Sequence, residues 1–469
     1  MKLAYSNRSA LLFKTKHYYA CCKDIDTCVA MGCPTEVIDK LRKRKEEAFG
    51  YALNEKIAKS NRNSPLVEKF MKPQTSNPDI PCASLDLKVV LESDGPKIVA
   101  AKDIDVGTIL ALETSFVSIT HVNNNFFSCY YCHKMHLNLI PCDGCCYALF
   151  CDESCQQKCL QENHNYICSI IDILNTKDLQ CTLAISALVK LRQTNSWKDI
   201  IAIENAIDAR TSNGDGGISN LICKDNKHFV VGIFFNHCIN NAVVLHYLDT
   251  ETDFFPRSNA RGKAIHAASN IIMNISMYAT SILLFSTATM NCVQNWEYQT
   301  IHHKLANYGL YSFIGKLKRS CLSNTNTVAL HRNVALVSVT PIKKDTEITI
   351  AHMSRLWFED DLWNHRRPIN MYILEKTICT CNICCGNWNR QTLSKTQAKI
   401  YSELNVATFN FGSTLNNVFC MYKKVCETME ALSDAPYSEE YEAVYTIFKK
   451  FILYFQSTVA SNSLVCMSD

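Results

Sequence analysis

The feature that most constrains this chain is a cysteine-rich segment between residues 129 and 168. Seven of its cysteines and one histidine form four close pairs, with two or three residues between the members of each pair. The pairs are Cys129 with Cys132, Cys142 with Cys145, Cys151 with Cys155, and His164 with Cys168. A structural Zn²⁺ ion takes four sulfur or nitrogen ligands at about 2.0 to 2.3 Å, so each pair can supply half of one tetrahedral site. Eight ligands therefore predict two zinc ions.

These cysteines could be used for zinc binding or for a cluster of disulfides. Disulfides persist in oxidising compartments, and the first residues, MKLAYSNRSALLF, lack an apolar stretch long enough for a secretory signal. Zinc is therefore favoured. A segment this short buries too little apolar surface to fold alone, so it is expected to be unfolded without its ions. Because the protein fills all the ligand positions, both ions are predicted to be structural, not catalytic.

The remaining composition fits an intracellular protein of several domains. A chain of 469 residues exceeds what one hydrophobic core organises, so about two to four domains are expected. The net charge of +4 is close to neutral for this length and implies no strong attraction to nucleic acid or to a membrane surface. Of the 26 cysteines, those outside the pairs, such as Cys21 and Cys420, stand singly among apolar residues. They are expected to be reduced, which places the protein in the cytoplasm, the nucleus or both.

One stretch is long enough to be considered as a membrane span. Residues 264–295 contain no Asp, Glu, Lys or Arg, and residues 271–290 alone could cross a bilayer. Several Asn, Ser and Thr side chains interrupt the stretch, however, and each would need a hydrogen-bond partner in hydrocarbon. A buried helix is therefore the preferred interpretation, and no membrane association is expected.

The N-terminal residues have helical periodicity. Residues 3–34 predict two amphipathic helices with a break near residues 15–17, and residues 36–56 predict a third, charged helix. The DKLRKRKEE run in this third helix is interpreted as a solvated face in preference to a nuclear import signal. Residues 61–81 are rich in Asn, Ser, Pro and Lys and predict a linker.

Two segments on either side of the cysteine-rich region predict β-strands. Residues 85–119 alternate as short strands do, with Gly95 and Gly107 at turn positions. The β pattern returns from residue 309, with strands predicted at 328–330, 334–339 and 347–350. The cysteine-rich segment is therefore predicted to be an insertion between two parts of one β unit.

The other segments are predicted to be mainly helical. Residues 170 to about 300 mainly follow a helical period, with ambiguity from 228 to 248, and residues 395–469 follow one as well. His237, in the motif-like FFNHCINN, invites a catalytic interpretation, but it lies within an apolar run. It is therefore predicted to be a buried histidine on a helix.

A second cysteine group follows the last predicted strands. Cys379, Cys381 and Cys384 are too closely spaced to be accidental, and three sulfurs need a fourth ligand from elsewhere. Cys321 is the best candidate, and Cys385 is the alternative.

The eight ligands of the first group, with the histidine in second-to-last place, resemble the MYND zinc finger. That family interleaves its two sites. The resemblance implies one site made by Cys129, Cys132, Cys151 and Cys155 and another made by Cys142, Cys145, His164 and Cys168. Cys146 and Cys159 are then spare.

The order of the predicted parts resembles the SET- and MYND-domain proteins over essentially the whole chain. The phrase NRSALLF, the pair Tyr18–Tyr19 and the closing Pro34 resemble a tetratricopeptide repeat and point to the branch that carries such repeats. The implied fold class is α+β, with a SET-type β core, an inserted MYND zinc finger, a helical insert and flanking helical-repeat segments. The implied divisions are 1–60 (repeat-like helices), 61–86 (linker), 87–128 (first part of the SET core), 129–168 (MYND finger), 169–305 (helical insert), 306–378 (SET core), 379–388 (post-SET zinc segment) and 389–469 (helical C-terminal domain).

The resemblance also implies a third zinc ion and an activity. In the family, the cysteine of an Asn-His-Ser-Cys motif joins a C-x-C-x2-C group on one zinc, a role that Cys321 would share with Cys379, Cys381 and Cys384. Members of the family transfer a methyl group from S-adenosylmethionine to a lysine amine through a narrow channel. Such a site works by aligning the reacting atoms and excluding water. The positions that match cofactor-binding residues are Gly95, Asn291, Ser320 and Asn324, and His352 takes the position of the active-site tyrosine.

Several positions depart from the family pattern. Lys318 and Arg319 replace an Asn-His pair that contacts the cofactor, and Pro96 replaces an arginine. Glu375 and Thr377 replace an aromatic pair. These substitutions fall at the positions that hold the cofactor and the lysine amine, whereas the zinc ligands are intact.

Two functional hypotheses follow. The first is a protein-lysine methyltransferase with a modified active site. The second, which the contrast between intact ligands and altered catalytic positions favours, is a weak enzyme or pseudoenzyme that serves as a zinc-stabilised protein-interaction module. Its partners would be proteins or peptides bound by the finger and the helical repeats. Strong nucleic-acid binding has little support because no concentrated basic face is evident.

Overall fold

The computed structural model of the chain describes residues 2–60, 64–92, 95–120, 128–134, 136–208, 231–278, 282–286, 306–320, 322–351, 389–404 and 414–460. These residues form a mixed helix and sheet structure of the α+β type. The helices are α1 (Lys2–Lys14), α2 (Tyr18–Ala30), α3 (Thr35–Ser60), α4 (Ser64–Phe70), α5 (Glu153–Cys159), α6 (Asn165–Leu174), α7 (Leu179–Thr194), α8 (Trp197–Asp208), α9 (Val231–Glu251), α10 (Arg261–Tyr278), α11 (Lys395–Glu403), α12 (Leu415–Ala431) and α13 (Glu439–Ala460). The strands are β1 (Leu87–Glu92), β2 (Gly95–Ala100), β3 (Ile109–Thr114), β4 (Val117–Thr120), β5 (Ile140–Pro141), β6 (Leu149–Phe150), β7 (Ile282–Ser286), β8 (Ala306–Leu310), β9 (Lys318–Ser320), β10 (Thr325–Leu330), β11 (Asn333–Ser338) and β12 (Thr349–Ala351).

The strand pairing confirms that the cysteine-rich segment is an insertion. Strand β3, before that segment, pairs antiparallel with β11, which lies far beyond it, and Leu112 faces Ala335. Strand β4 likewise pairs with β8, where Ile119 faces Tyr308. Gly107 precedes β3 with a φ of +83°, a backbone conformation that favours glycine. The chain thus leaves the β unit after β4 and returns to it at β7 and β8.

The N-terminal helices form a unit with its own core. The predicted break lies where α1 ends at Lys14 and α2 begins at Tyr18. The core of this unit includes the buried side chains of Leu12, Ile25 and Leu41, one from each of the three helices. The predicted helices are therefore confirmed.

The segment predicted as a linker contains a short helix, α4. Val67 on this helix and Met71 just after it are fully buried among the side chains of α12 and α13. The prediction of an open linker is therefore wrong for this part of the segment. The Asn-, Ser- and Pro-rich composition hides two apolar residues at helical spacing, which is enough to anchor one turn when a larger core is nearby.

In the described part of the helical region after the finger, the structure differs from the prediction at residues 282–286. Helix α10 places Ile271 and Ile275 in the core, as expected of a buried helix, but it ends at Tyr278. Residues 282–286 are strand β7, which pairs with β8 and adds an edge to the sheet. The prediction of one buried helix from 264 to 295 is thus wrong for residues 282–286. Among the described residues, no helix is long and apolar enough to cross a membrane.

The last three helices pack on the β unit. Phe448, Phe451 and Phe455 of α13 are fully buried in a core shared with Val328 of β10 and Val337 of β11. The hydroxyl of Tyr441 donates to the backbone carbonyl of Val339 at 3.0 Å. The prediction of amphipathic helices is confirmed for residues 395–403, 415–431 and 439–460.

Candidate metal centres and cofactor region

The structure brings the eight predicted finger ligands together in two groups. One contains Cys129, Cys132, Cys151 and Cys155, and the other contains Cys142, Cys145, His164 and Cys168. Within each group the ligand atoms all lie within 4.8 Å of one another. The pairing is interleaved, as the resemblance to MYND fingers implies, because the first and third pairs share one site and the second and fourth pairs share the other.

The spacing of the ligand atoms fits zinc. The Sγ–Sγ distances are 3.8 Å for Cys132 and Cys151 and 3.8 Å for Cys142 and Cys168. With Zn–S bonds of about 2.3 Å, the edge of a tetrahedral site is about 3.8 Å. A disulfide requires about 2.05 Å, and every described cysteine is free. The two groups can therefore each hold one zinc ion.

Local backbone features place the ligands. The carboxylate of Asp152 caps α5 by accepting from the Cys155 amide at 2.8 Å, which fixes Cys155 in the first turn. A single π-helical turn, Leu160–His164, then inserts an extra residue between α5 and α6 and aims His164 at Cys145. A side chain on Gly144 would put its Cβ 2.8 Å from the Cys168 sulfur, so this turn has room only for glycine.

His164 is suited to bind a metal as a neutral imidazole. It is fully buried, and its Nε2 lies 3.6 Å from the Cys145 sulfur. Burial lowers the pKa of this histidine to about 4, so the ring is uncharged at neutral pH. A neutral ring nitrogen keeps the lone pair that zinc requires.

Histidine 133 joins the finger to the β unit, a role that the sequence analysis missed. Its Nδ1 lies 2.7 Å from the hydroxyl of Thr120 and its Nε2 lies 2.6 Å from the hydroxyl of Ser118, both on β4. Burial lowers the pKa of His133 to about 3. Although it follows a ligand directly, its nitrogens are occupied by β4 and it is not part of either metal group.

Glu162 is a second junction that the sequence analysis missed. This carboxylate accepts from Tyr131 of the finger at 2.8 Å, from Lys190 of α7 at 3.2 Å and from Arg332 at 3.1 Å. Arg332 lies in the turn between β10 and β11, and its guanidinium sits 4.3 Å from the centre of the Tyr131 ring. Burial opposes ionisation of Glu162, but the neighbouring Arg332 and Lys190 outweigh it and lower the carboxyl pKa. One side chain thus ties together the finger, the helical region and the β unit.

The candidate cofactor region is formed by a parallel pair of short strands. Lys318 on β9 lies opposite Thr349 on β12, and Ser320 lies opposite Ala351. The Lys318 ammonium donates to the Glu347 carboxylate at 3.0 Å, and its side chain is 58% exposed. The lysine is therefore turned toward the surface and its charge is paired.

Asn324 holds β12 in place. Its Nδ2 donates to the Glu347 carbonyl at 2.8 Å, and its Oδ1 accepts from the Thr349 amide at 2.8 Å. The backbone amide of Asn324 donates to the Thr349 hydroxyl at 3.0 Å. The side chain therefore stabilises the strand pair that carries Ser320. Gly95, the remaining described candidate, begins β2 opposite Glu92.

The other predicted site residues lie outside the described residues. These are Asn291, Cys321, His352, Cys379, Cys381 and Cys384, together with the alternative ligand Cys385 and the substituted positions Glu375 and Thr377. The third zinc site and the catalytic position therefore stay predictions. His237 is described: it is buried on α9 with its Nδ1 3.6 Å from a carboxylate oxygen of Asp178, as expected for a histidine of the core.

Comparison with known proteins gives one consistent result. No family model matches the chain. The protein-lysine N-methyltransferases SMYD4 of Pongo abelii and of Homo sapiens are each 26% identical to it over 279 residues, which cover 46% of this chain and 34% of the relative. The corresponding protein of Danio rerio is 26% identical over 212 residues, covering 41% of this chain and 28% of the relative. The chain thus spans about a third of the length of the curated relatives that it matches.

The curated matches and the metal groups agree. The curated matches are all to a SET- and MYND-domain methyltransferase. The two metal groups have the interleaved ligand order of the MYND finger. The chain is therefore similar to the SET- and MYND-domain proteins, both in the relatives that it matches and in the ligand order of its metal groups.

Proposed function

We propose that this chain is a methyltransferase-like SET/MYND scaffold that acts chiefly as a zinc-stabilised protein-interaction module, with weak or absent lysine methylation. The observation that supports this is a contrast between two sites. All eight finger ligands are present and converge, whereas a lysine and an arginine take the place of the family's cofactor-contacting Asn-His pair.

The scaffold proposed here follows the family order. Strands β1 to β4 and β8 to β12 would form the SET core, with the finger and helices α6 to α10 as its insertions. Helices α1 to α3 would be a tetratricopeptide-like unit, and α11 to α13 a helical C-terminal domain. Three zinc ions would be bound, two in the finger and one by Cys321 with Cys379, Cys381 and Cys384.

A cationic substitution at the cofactor site opposes cofactor binding. S-adenosylmethionine carries a sulfonium and an ammonium group, and two like charges about 4 Å apart repel by about 4 kcal/mol at an effective dielectric of about 20. That energy would weaken the affinity for the cofactor by about a thousandfold. It is an upper limit for Lys318, because its ammonium is paired with Glu347 and its side chain is largely exposed.

The same ion pair supports a second candidate function, an active protein-lysine N-methyltransferase with a modified active site. Glu347 compensates the charge of Lys318, and Asn324 holds β12 through hydrogen bonds to Glu347 and Thr349. The SMYD4 relatives are named as protein-lysine N-methyltransferases. In an active enzyme His352 would replace the family tyrosine and orient the lysine amine, since a histidine is a competent base near neutral pH.

Calorimetry with S-adenosylmethionine distinguishes the two functions. The natural chain is expected to bind the cofactor weakly or not at all, and a triple variant, Lys318→Asn, Arg319→His and His352→Tyr, is expected to recover affinity. The matched control is Lys343→Asn, which removes a lysine that is 80% exposed and paired with Asp103, away from the strand pair. Micromolar binding and turnover of a lysine peptide by the natural chain would refute the interaction-module proposal and make His352 the residue to test.

The proposed partners are protein segments. A small zinc module and stacked helices present fixed grooves that can bind such segments. A protein with a net charge of +4 would release too few counterions from duplex DNA for tight binding. We propose residence in the cytoplasm, the nucleus or both, on the basis of the many free cysteines.

A further inference from the structure

The α1–α2 hairpin lies directly against the zinc finger, and three consecutive residues of the finger make the contact. Leu137 packs into the core of the N-terminal helices, whereas Leu139 is buried in the core of the finger. Asn138, between them, is only 5% exposed. Leu137 and Leu139 thus contribute to the cores of the two units, with Asn138 buried between them.

A buried carboxylate on α2 is at the centre of this contact. The side chain of Asp24 is 1% exposed and accepts from Arg8 at 2.6 and 2.8 Å. It also accepts from the Asn138 amide at 2.6 Å. Arg8 donates through its other terminal nitrogen to the carbonyl of Leu139 at 3.0 Å, and Asn138 donates to the carbonyl of Ala20 at 2.9 Å.

This arrangement makes each side depend on the other. A carboxylate removed from water is tolerated only when charged and polar partners replace its hydration. Asp24 takes one partner from α1 and the other from the finger, 114 positions along the chain. If the finger segment moved away, the carboxylate would lose the Asn138 amide and the Arg8 guanidinium would lose the Leu139 carbonyl.

The contact lies in the segment that connects the two metal groups. Residues 133–141 run from Cys132, a ligand of one group, to Cys142, a ligand of the other. Leu139 leads directly into β5, which pairs with β6 and precedes Cys142. The position of the α1–α2 hairpin is thus coupled to the geometry of both ligand groups through one short stretch of backbone.

We propose that the α1–α2 hairpin and the zinc finger form one cooperative unit, in which the Asp24 carboxylate makes the retention of zinc by the finger depend on the docked hairpin. The hairpin is then a cap on the finger. Its displacement loosens the segment 137–139 and accelerates loss of metal, and removal of metal in turn releases the hairpin. This coupling is independent of whether the chain binds S-adenosylmethionine.

The test is the rate at which a chelator removes zinc from the full-length protein. Asp24→Asn keeps the size of the side chain but removes the charge that Arg8 and Asn138 share, and it is expected to release zinc at least about tenfold faster than the natural chain. The matched control is Asp26→Asn on the same helix, because Asp26 is 60% exposed and pairs with Lys45 away from the finger. Asp26→Asn is expected to release zinc at the natural rate.

A double-mutant cycle separates coupling from general loss of stability. Asn138→Ala alone is expected to accelerate release, and its effect is expected to shrink markedly when Asp24→Asn is already present, because the two residues share one interaction. Additive effects, or an Asp24→Asn variant that releases zinc at the natural rate, would overturn the proposal.

Hydrogen exchange on the natural chain gives a test that needs no variant. Removal of zinc is expected to raise amide exchange in α1 and α2 while α12 and α13 keep their protection, because those helices pack on a different core. Unchanged exchange in α1 and α2 would overturn the proposal. An equal rise in all four helices would also overturn it, since the hairpin and finger would then not be a separate unit.

Discussion

The finger and the proposed cofactor region of this protein differ in how their residues are held. Three of the finger ligands, Cys155, His164 and Cys168, lie on helical turns. The finger is fastened to its surroundings by the buried side chains of His133 and Asp24 and by the partly buried Glu162. In the cofactor region, Lys318 is exposed and paired at the surface with Glu347. The comparison teaches that the finger is constrained by contacts of buried and partly buried side chains, whereas Lys318 is held only by an ion pair at the surface, so we expect that it can be replaced without disturbing the fold.

Among the variants considered, loss of a zinc ligand is expected to have the largest effect on stability. Structural zinc contributes about 10 to 16 kcal/mol in isolated finger peptides, so Cys142→Ser should unfold the finger locally while the β unit stays folded. Metal analysis should show loss of zinc, and hydrogen exchange should show protection retained in β3 and β11. Cys146→Ser is the control, because Cys146 is exposed and belongs to neither ligand group. A loss of protection across the whole chain would mean that the finger and the β unit are one folding unit.

A third metal site is predicted outside the finger, and metal analysis tests it. Purified, tag-free protein is expected to contain three zinc ions per chain, two in the finger and one held by Cys321 with Cys379, Cys381 and Cys384. Cys381→Ser should lower the zinc content by one ion per chain, because the three remaining cysteines leave the zinc site one ligand short. Metal analysis of the natural chain that returns two ions would remove the third site and leave the finger as the only metal-binding part.

Loss of the Glu162 charge, which pairs with Lys190 and Arg332, is expected to destabilise the protein less than loss of zinc. Glu162→Gln keeps the shape of the side chain but leaves Arg332 and Lys190 without their shared counter-charge in a place where all three are mostly buried. We expect a loss of about 1 to 3 kcal/mol in the free energy of unfolding, measured by urea denaturation. Lys343→Gln, which breaks a fully exposed pair with Asp103, is the control and should leave the urea midpoint unchanged. Equal midpoints for the two variants would show that Glu162 does not join the finger to the β unit.

What the sequence predicts well is local spacing. The ligand pairs, the break between α1 and α2 and the strands around Gly107 all depend on residues close together in the chain. Even the insertion of the finger follows from two β patterns on either side of it.

What the sequence does not show is long-range pairing. Glu162 meets Arg332 across 170 positions, and Asp24 meets Asn138 across 114. No periodic pattern links such residues, because the contacts arise only when separate units dock. The same reason explains β7: its apolar run continues that of α10, and only pairing with β8 makes it a strand. The buried turn of α4 is hidden for an equivalent reason, since its core partners are on α12 and α13.

The smallest effect is expected from the exposed ion pair of the cofactor region, and it tests the comparison most directly. Lys318 is 58% exposed and Glu347 28% exposed, so water screens their attraction and the side chains lose conformational freedom when they pair. Lys318→Asn should therefore change the free energy of unfolding by less than about 0.5 kcal/mol, and the change should disappear at high salt. The measurement is urea denaturation at low and at high ionic strength, beside the Glu162→Gln variant. A loss above about 1 kcal/mol that persists in salt would place the Lys318 ammonium in a desolvated position, where it would repel a cationic cofactor strongly. The small effect expected here would instead mean that Lys318 stabilises little and that its identity is free to change, which is the property that separates the cofactor region from the finger.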